Sequence, residues 1–219
     1  MPIPASSESP ELNAVNQILS SIGQAPVTDL NQTNPEVAIC YNTLLQVSRE
    51  VQSEGWTFNK EFNVPVYPLA DGTISWPFDV MEMDISQDPR YLEKAHVRTV
   101  KREYISGPGE DPVSKVYDRQ NHTFIFPLDS YQFDFVYLRD FDFIPLPVQN
   151  YIIARASAFA SSRLVGDAQQ YGILQQQEAY TRAMAIEYEC NQGNYSMFGD
   201  PRNGTNYMSY QPYIALRRF

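Results

Sequence analysis

The chain has 219 residues, with 26 acidic against 16 basic side chains and a net charge of −10. That length suits one large domain or two small ones, and the charge argues against gripping nucleic acid by phosphate neutralisation, which needs a basic surface. Apolar residues are dispersed, with no run near the ~18 a membrane span requires; two cysteines and two histidines support neither a disulfide framework nor a typical zinc site, so no cofactor, metal or membrane role is expected. Met1 to Pro10 carries no positive charge and no apolar block, so it does not read as a signal peptide.

The first sixty residues predict two helices. Ser9 is an N-cap, Pro10 fits the first helical position and Glu11 complements the dipole. Leu12, Val15, Ile18, Leu19 and Ile22 then form one stripe, closed by Gly23. The second helix repeats this grammar with Asn34, Pro35 and Glu36; its expected stripe is Val37, Tyr41, Leu44, Leu45, Ser48 and Val51, with Gly55 just past its end. The short connection folds the pair into an αα-hairpin.

Near Trp56 the period drops from about 3.6 to 2. Strands are predicted near Thr57–Val66, Thr73–Trp76, Val97–Ile105, Lys115–Tyr117, Thr123–Phe126 and Tyr131–Leu138, with turns at Asp71-Gly72 and Asp118–Asn121. The clearest is the last, with Tyr131, Phe133, Phe135 and Tyr137 on one face. A third helix follows Pro147, striped by Val148, Ile152, Ala156 and Phe159 and ending at Leu164 and Gly166. Asp167 with Gln170 resembles a capping box opening a fourth, largely polar helix that runs to about Cys190. A polar helix of this length suggests neighbours.

Residues 191–219 are rich in Asn, Gly, Ser and Tyr and show no helical or strand period. Their charge is +2, which leaves −12 for the rest. Too aromatic for an idle linker, this tail is expected to order on a partner through Tyr195, Phe198, Tyr207, Tyr210, Tyr213, Arg217, Arg218 and Phe219.

Enzyme-like features are few. Asp134, Asp140 and Asp142 lie close together, as do Glu82 and Asp84, and a glycosidase needs two carboxyls about 5 to 9.5 Å apart. Such neighbours also arise on an ordinary solvated strand face. His96 and His122 have no cysteine or second histidine at ligand spacing, and Cys40 and Cys190 read as reduced thiols. Gly107-Pro108-Gly109 lacks the lysine and helix start of a phosphate loop. Lys94, Arg98, Lys101 and Arg102 make a polar face rather than a funnel, and no catalytic residue is assigned.

Leu12-Asn13-Ala14-Val15-Asn16, then Ile22-Gly23 and Ala25-Pro26-Val27, resembles the N-terminal signature of the tail tubular protein A family, the head-to-tail adaptors of T7-like short-tailed bacteriophages. Val47-Ser48-Arg49-Glu50-Val51-Gln52-Ser53 with Gly55-Trp56 and Phe58-Asn59 is similar to the family's second-helix signature, which is the more specific. Leu138-Arg139-Asp140-Phe141-Asp142 with Pro145 resembles the segment before its third helix, and Tyr151 to Gly166 that helix. Glu187-Tyr188-Glu189 through Asn194-Tyr195-Ser196-Met197 resembles its closing motif. The resemblance covers about residues 11 to 200 and implies a structural role with no catalytic residues. It also implies a dodecameric homo-oligomeric ring in the neck of the virion, between the portal protein and the tail nozzle (tail tubular protein B). Tail fibre proteins are further possible partners, and DNA would pass through the channel without specific binding. The chain would be made in the host bacterial cytoplasm.

The expected class is therefore α+β. A helical bundle module is built from both chain ends (1–56 and 146–190), an antiparallel β-domain of sandwich or small-barrel form (57–145) is inserted, and 191–219 is an extended partner-docking tail. The alternative function is a tail-associated polysaccharide hydrolase using acids such as Asp134 and Asp140.

Overall fold

A computed structural model describes residues 9–30, 34–86, 97, 99–105 and 113–193. It has four α-helices and five strands in two antiparallel sheets, a mixed α+β fold. Neither sheet closes into a barrel, so of the two β-domain forms expected the barrel is not found. The described residues fall into two compact units, one of residues 9–54 with 139–190 and one of residues 55–138.

The helical unit begins as its local chemistry dictates. Helix α1 spans Pro10–Ser21, and the Ser9 hydroxyl accepts the Leu12 N–H at 3.2 Å. Helix α2 spans Pro35–Gln52, and the Asn34 side chain accepts the Glu36 N–H at 3.0 Å. Each cap satisfies an amide that the first turn leaves unpaired. Gly23 ends α1 at φ +80°, a left-handed conformation that side chains resist. The connection is pinned by Asn16, whose amide donates to the Val27 carbonyl at 2.9 Å and accepts its N–H at 2.8 Å.

The buried face of α2 is rotated from the expected stripe. Cys40, Thr43, Val47 and Gln52 join Val37, Leu44, Ser48 and Val51 inside, whereas Tyr41 and Leu45 are only half-buried. The reason is packing on two sides: α2 contacts both α1 and helix α3, Leu146–Leu164. Likewise α3 is not a one-striped helix. Val148, Tyr151, Ile152, Ala154, Ala156, Ala158 and Ala160 are all buried, while Phe159 is half-buried. Its alanines let α1 and α2 approach closely from two directions.

Helix α4 spans Ala168–Gly193, 26 residues, or about 39 Å at 1.5 Å per residue. The Asp167 carboxylate accepts the Gln169 N–H at 2.9 Å, as a cap should. Gln170 does not complete the capping box; its amide donates to the Ser21 carbonyl at the end of α1.

In the β unit, β1 (Lys60–Val66), β2 (Val80–Ile85) and β5 (Tyr131–Tyr137) form a sheet in the order β1-β5-β2. Strands β3 (Val100–Ile105) and β4 (Val113–Asp118) pair as a second sheet. Expected strands 73–76 and 123–126 contribute only isolated bridges, Ser75 to Lys115 and Thr123 to Asp118. Conversely, β2 was not expected. An irregular register between Val80 and Glu82 breaks its alternation and hides a strand behind two acids. Phe126, Tyr131, Phe133, Phe135 and Tyr137 make a continuous aromatic ladder with ring centroids 5.2 to 6.5 Å apart. Ile74, Trp76, Met83, Ile85 and Val116 pack around it as the core of this unit.

Candidate assembly surfaces and the chain-return clasps

Two buried amides hold the chain where it leaves each unit and returns to it. In the helical unit Gln52, with no exposed surface, accepts the Arg139 N–H at 2.8 Å and donates to the Arg139 carbonyl at 3.0 Å. It also donates to the Ser48 hydroxyl at 3.0 Å. In the β unit Asn59 accepts the Trp56 N–H at 2.8 Å and donates its side-chain amide to the Tyr137 carbonyl at 2.9 Å. The backbone adds a bond from the Tyr137 N–H to the Asn59 carbonyl at 2.8 Å. A carboxamide suits both places because it donates and accepts at once, closing a backbone gap without burying charge. Nothing in the local pattern announced these partners, which lie 87 and 78 residues away. A glutamine on the apolar face of α2 was the one available signal.

A second polar construction ties the helices together. Arg155 of α3 donates to the Tyr151 hydroxyl at 3.0 Å and to Glu50 of α2 at 3.2 Å, and its guanidinium lies 5.6 Å from the Phe159 ring. Arg163 stacks on the same ring at 5.9 Å and donates to Thr43 and Gln46. Arg182 of α4 lies over the Tyr151 ring at 5.7 Å and 3.7 Å from Glu54. Beside these, a cleft of about 200 Å³ between α1, α3 and α4 is lined by polar side chains such as Gln17, Asn150 and Thr181.

The weighed acids have structural surroundings. Asp134 accepts the Asn63 N–H at 2.9 Å, satisfying a residue held at φ +56° where β1 departs from its register with β5. Asp84 sits opposite Asp134 in the ladder. Asp140 is exposed ahead of a single 3-10 turn, Phe141–Phe143, and Asp142 is exposed within it. His122 occupies a turn at φ +53°, with its Nδ1 3.5 Å from the Tyr117 hydroxyl. Burial, with Glu36 nearby, pushes the Cys40 thiol up to about 11, so it stays protonated; Cys190 is exposed. Lys101 and Arg102 cover the Tyr117 and Trp76 rings, respectively. Among the described residues no group of three or more His, Cys, Asp or Glu could hold a metal ion. No helix among them is long and apolar enough to cross a membrane.

All eight expected docking residues, Tyr195, Phe198, Tyr207, Tyr210, Tyr213, Arg217, Arg218 and Phe219, lie outside the described residues, as do His96, Lys94, Arg98 and Gly107-Pro108-Gly109. The described surface offers aromatic and aliphatic candidates instead. Phe78 is 96% exposed in the β unit, on a turn braced by bonds from Leu138 to Asp79 and from the Trp76 indole to the Val80 carbonyl. In the helical unit Phe143 and Leu146 are exposed, and α4 displays Ile173, Tyr180 and Met184.

The apolar side chains presented outward on each unit are the described features open to contact with other molecules. The family profile described as tail tubular protein matches residues 12–195, and the chain belongs to that family. It is a structural component of a phage tail. A tail tubular protein A of Klebsiella phage KP34 is 33% identical over 82 residues, which are 37% of this chain and 44% of that relative. The chain therefore matches less than half the length of that protein.

Proposed function

We propose that the chain is the head-to-tail adaptor of a short-tailed phage. Copies form a dodecameric ring between the portal protein and the tail nozzle, and the genome passes through its centre. The family match across residues 12–195 carries this proposal. Physical chemistry supports it in three ways. A chain of net −10 repeated around a ring lines the channel with negative potential, so DNA slides without being gripped. Contacts of one copy's front with the next copy's back close a ring when the rotation per copy divides the circle. Division into a helical unit and a β unit lets one build the ring while the other meets nozzle or fibre proteins. In this scheme 191–219 docks on a neighbouring ring through its aromatic and arginine residues, at low ordering cost per contact.

The test is imaging of particles made with and without the chain. A label on the chain should appear at the neck, and particles lacking it should hold filled heads without attached tails. Complete tailed particles in its absence would overturn the adaptor role.

A further inference from the structure

Helix α4 is the least embedded of the four helices. Only Leu174 and Ala185 among its described side chains are buried. About a quarter-turn around from Leu174, Ile173, Tyr180 and Met184 recur at i, i+7 and i+11 and form one apolar seam, while Gln177 beside them lines the cleft towards α1 and α3. Ile173 is 66%, Tyr180 68% and Met184 45% exposed. Ala179 and Ala183 flank the seam, small enough for another backbone to approach at 8–10 Å.

The charges of this helix explain what can approach. From Ala168 to Ile186 its charged residues are Glu178 and Arg182. Both turn towards the helical unit: Arg182 reaches Glu54 and the Tyr151 ring, and the half-buried Glu178 is near enough to Arg155 to favour its charged form. The outward face is consequently neutral as far as Ile186, and the two further acids of the helix, Glu187 and Glu189, follow towards its end. On a chain of net −10, a neutral apolar face lets identical copies touch without opposing like charges. The three exposed side chains amount to a few hundred Å², short of the roughly 800 Å² per partner of a standard stable interface. Such a contact is weak between two copies and becomes durable only when repeated in a closed assembly.

We infer that the outward face of α4, centred on Tyr180 and Ala183, is a contact through which one copy of this chain meets another. The inference rests on the proposal that the chain works in multiple copies. The test uses the full chain and two independent variants, Ala183→Glu and Tyr180→Arg, each replacing an exposed residue. Circular dichroism and melting should match the wild type. Sedimentation at high chain concentration should show weak self-association of the wild type. In each variant it should be weakened at least about tenfold, because a charge must be buried without a partner. Either variant suffices if the other melts early. A strictly monomeric wild type at millimolar chain would overturn the inference, as would variants that associate like the wild type. Variants that self-associate normally but lose joining to another tail component would also overturn it, by assigning the face to a different protein. Position of the labelled chain in particles is a separate readout. Absence from the neck with α4-dependent self-association intact removes the adaptor role and leaves this contact standing.

Discussion

Gln52 and Asp71 show how single side chains set local stability here. Replacing Gln52 by Leu keeps the volume but leaves the Arg139 N–H and carbonyl without their side-chain partner. The expected cost is about 1–3 kcal/mol, the range for orphaned polar groups away from water. Urea denaturation should show a lower midpoint at unchanged slope; a midpoint equal to the wild type would mean water replaces the amide freely. At Asp71 the Thr73 N–H, then the Thr73 hydroxyl and Lys115, hold the carboxyl down to about 2 from 3.8. A depressed folded value means the group stabilises the fold above the unfolded pKa and loses this as pH falls towards the folded one. The advantage of wild type over Asp71→Asn should therefore be full above about pH 4 and fade towards about pH 2. A difference flat across that window would show that the bonds survive protonation. Both residues were visible in sequence only as types: Asp71-Gly72 announced a turn, but neither Lys115 nor Arg139 could be named as a partner.

At the scale of elements, α4 is where local preference has most influence, since packing decides least there. Gly172 lies within this helix with open space where a Cβ would point. Gly172→Ala should raise stability by roughly 0.5–1 kcal/mol, through reduced freedom of the unfolded chain. A higher melting temperature checks this; destabilisation would mean that the helix needs the missing side chain there. Strand β2 makes the opposite case. Val80, Met83 and Ile85 are buried beside β5, yet the irregular register near Glu82 disguised the pattern. The aromatic strand β5 was easy to read because its alternation runs unbroken, and it proved to be the centre of its sheet.

For the whole molecule, the proposed division of labour separates folding from joining. Removing residues 207–219 should leave circular dichroism and melting unchanged while abolishing attachment to the neighbouring ring in particle assembly. A collapse of the melting transition would instead make those residues part of a core. With melting unchanged and attachment lost, the α4 face and the tail would serve different contacts, one between copies and one between rings.

Sequence alone determined the features that depend on a few neighbouring residues. The Ser9 and Asn34 caps, the prolines after them, Gly23 and the aromatic alternation of β5 each act over a turn or two, so their effect is written where they stand. It also determined the mixed α+β class and, through short signatures around Asn16, Gln52 and Asn59, the family. Tertiary structure decided what those signature residues do, because their partners lie many residues away and are chosen by packing rather than by propensity. Asn16 pins a loop, Gln52 and Asn59 clasp the returning chain, and Asp134 satisfies an irregular strand instead of standing free for chemistry. It likewise decided which side of α2 faces inward, since a helix packed on two sides needs a wider buried face than one stripe supplies. And it left one flank of α4 neutral and uncovered, by drawing the two charges in the middle of that helix back onto its own unit.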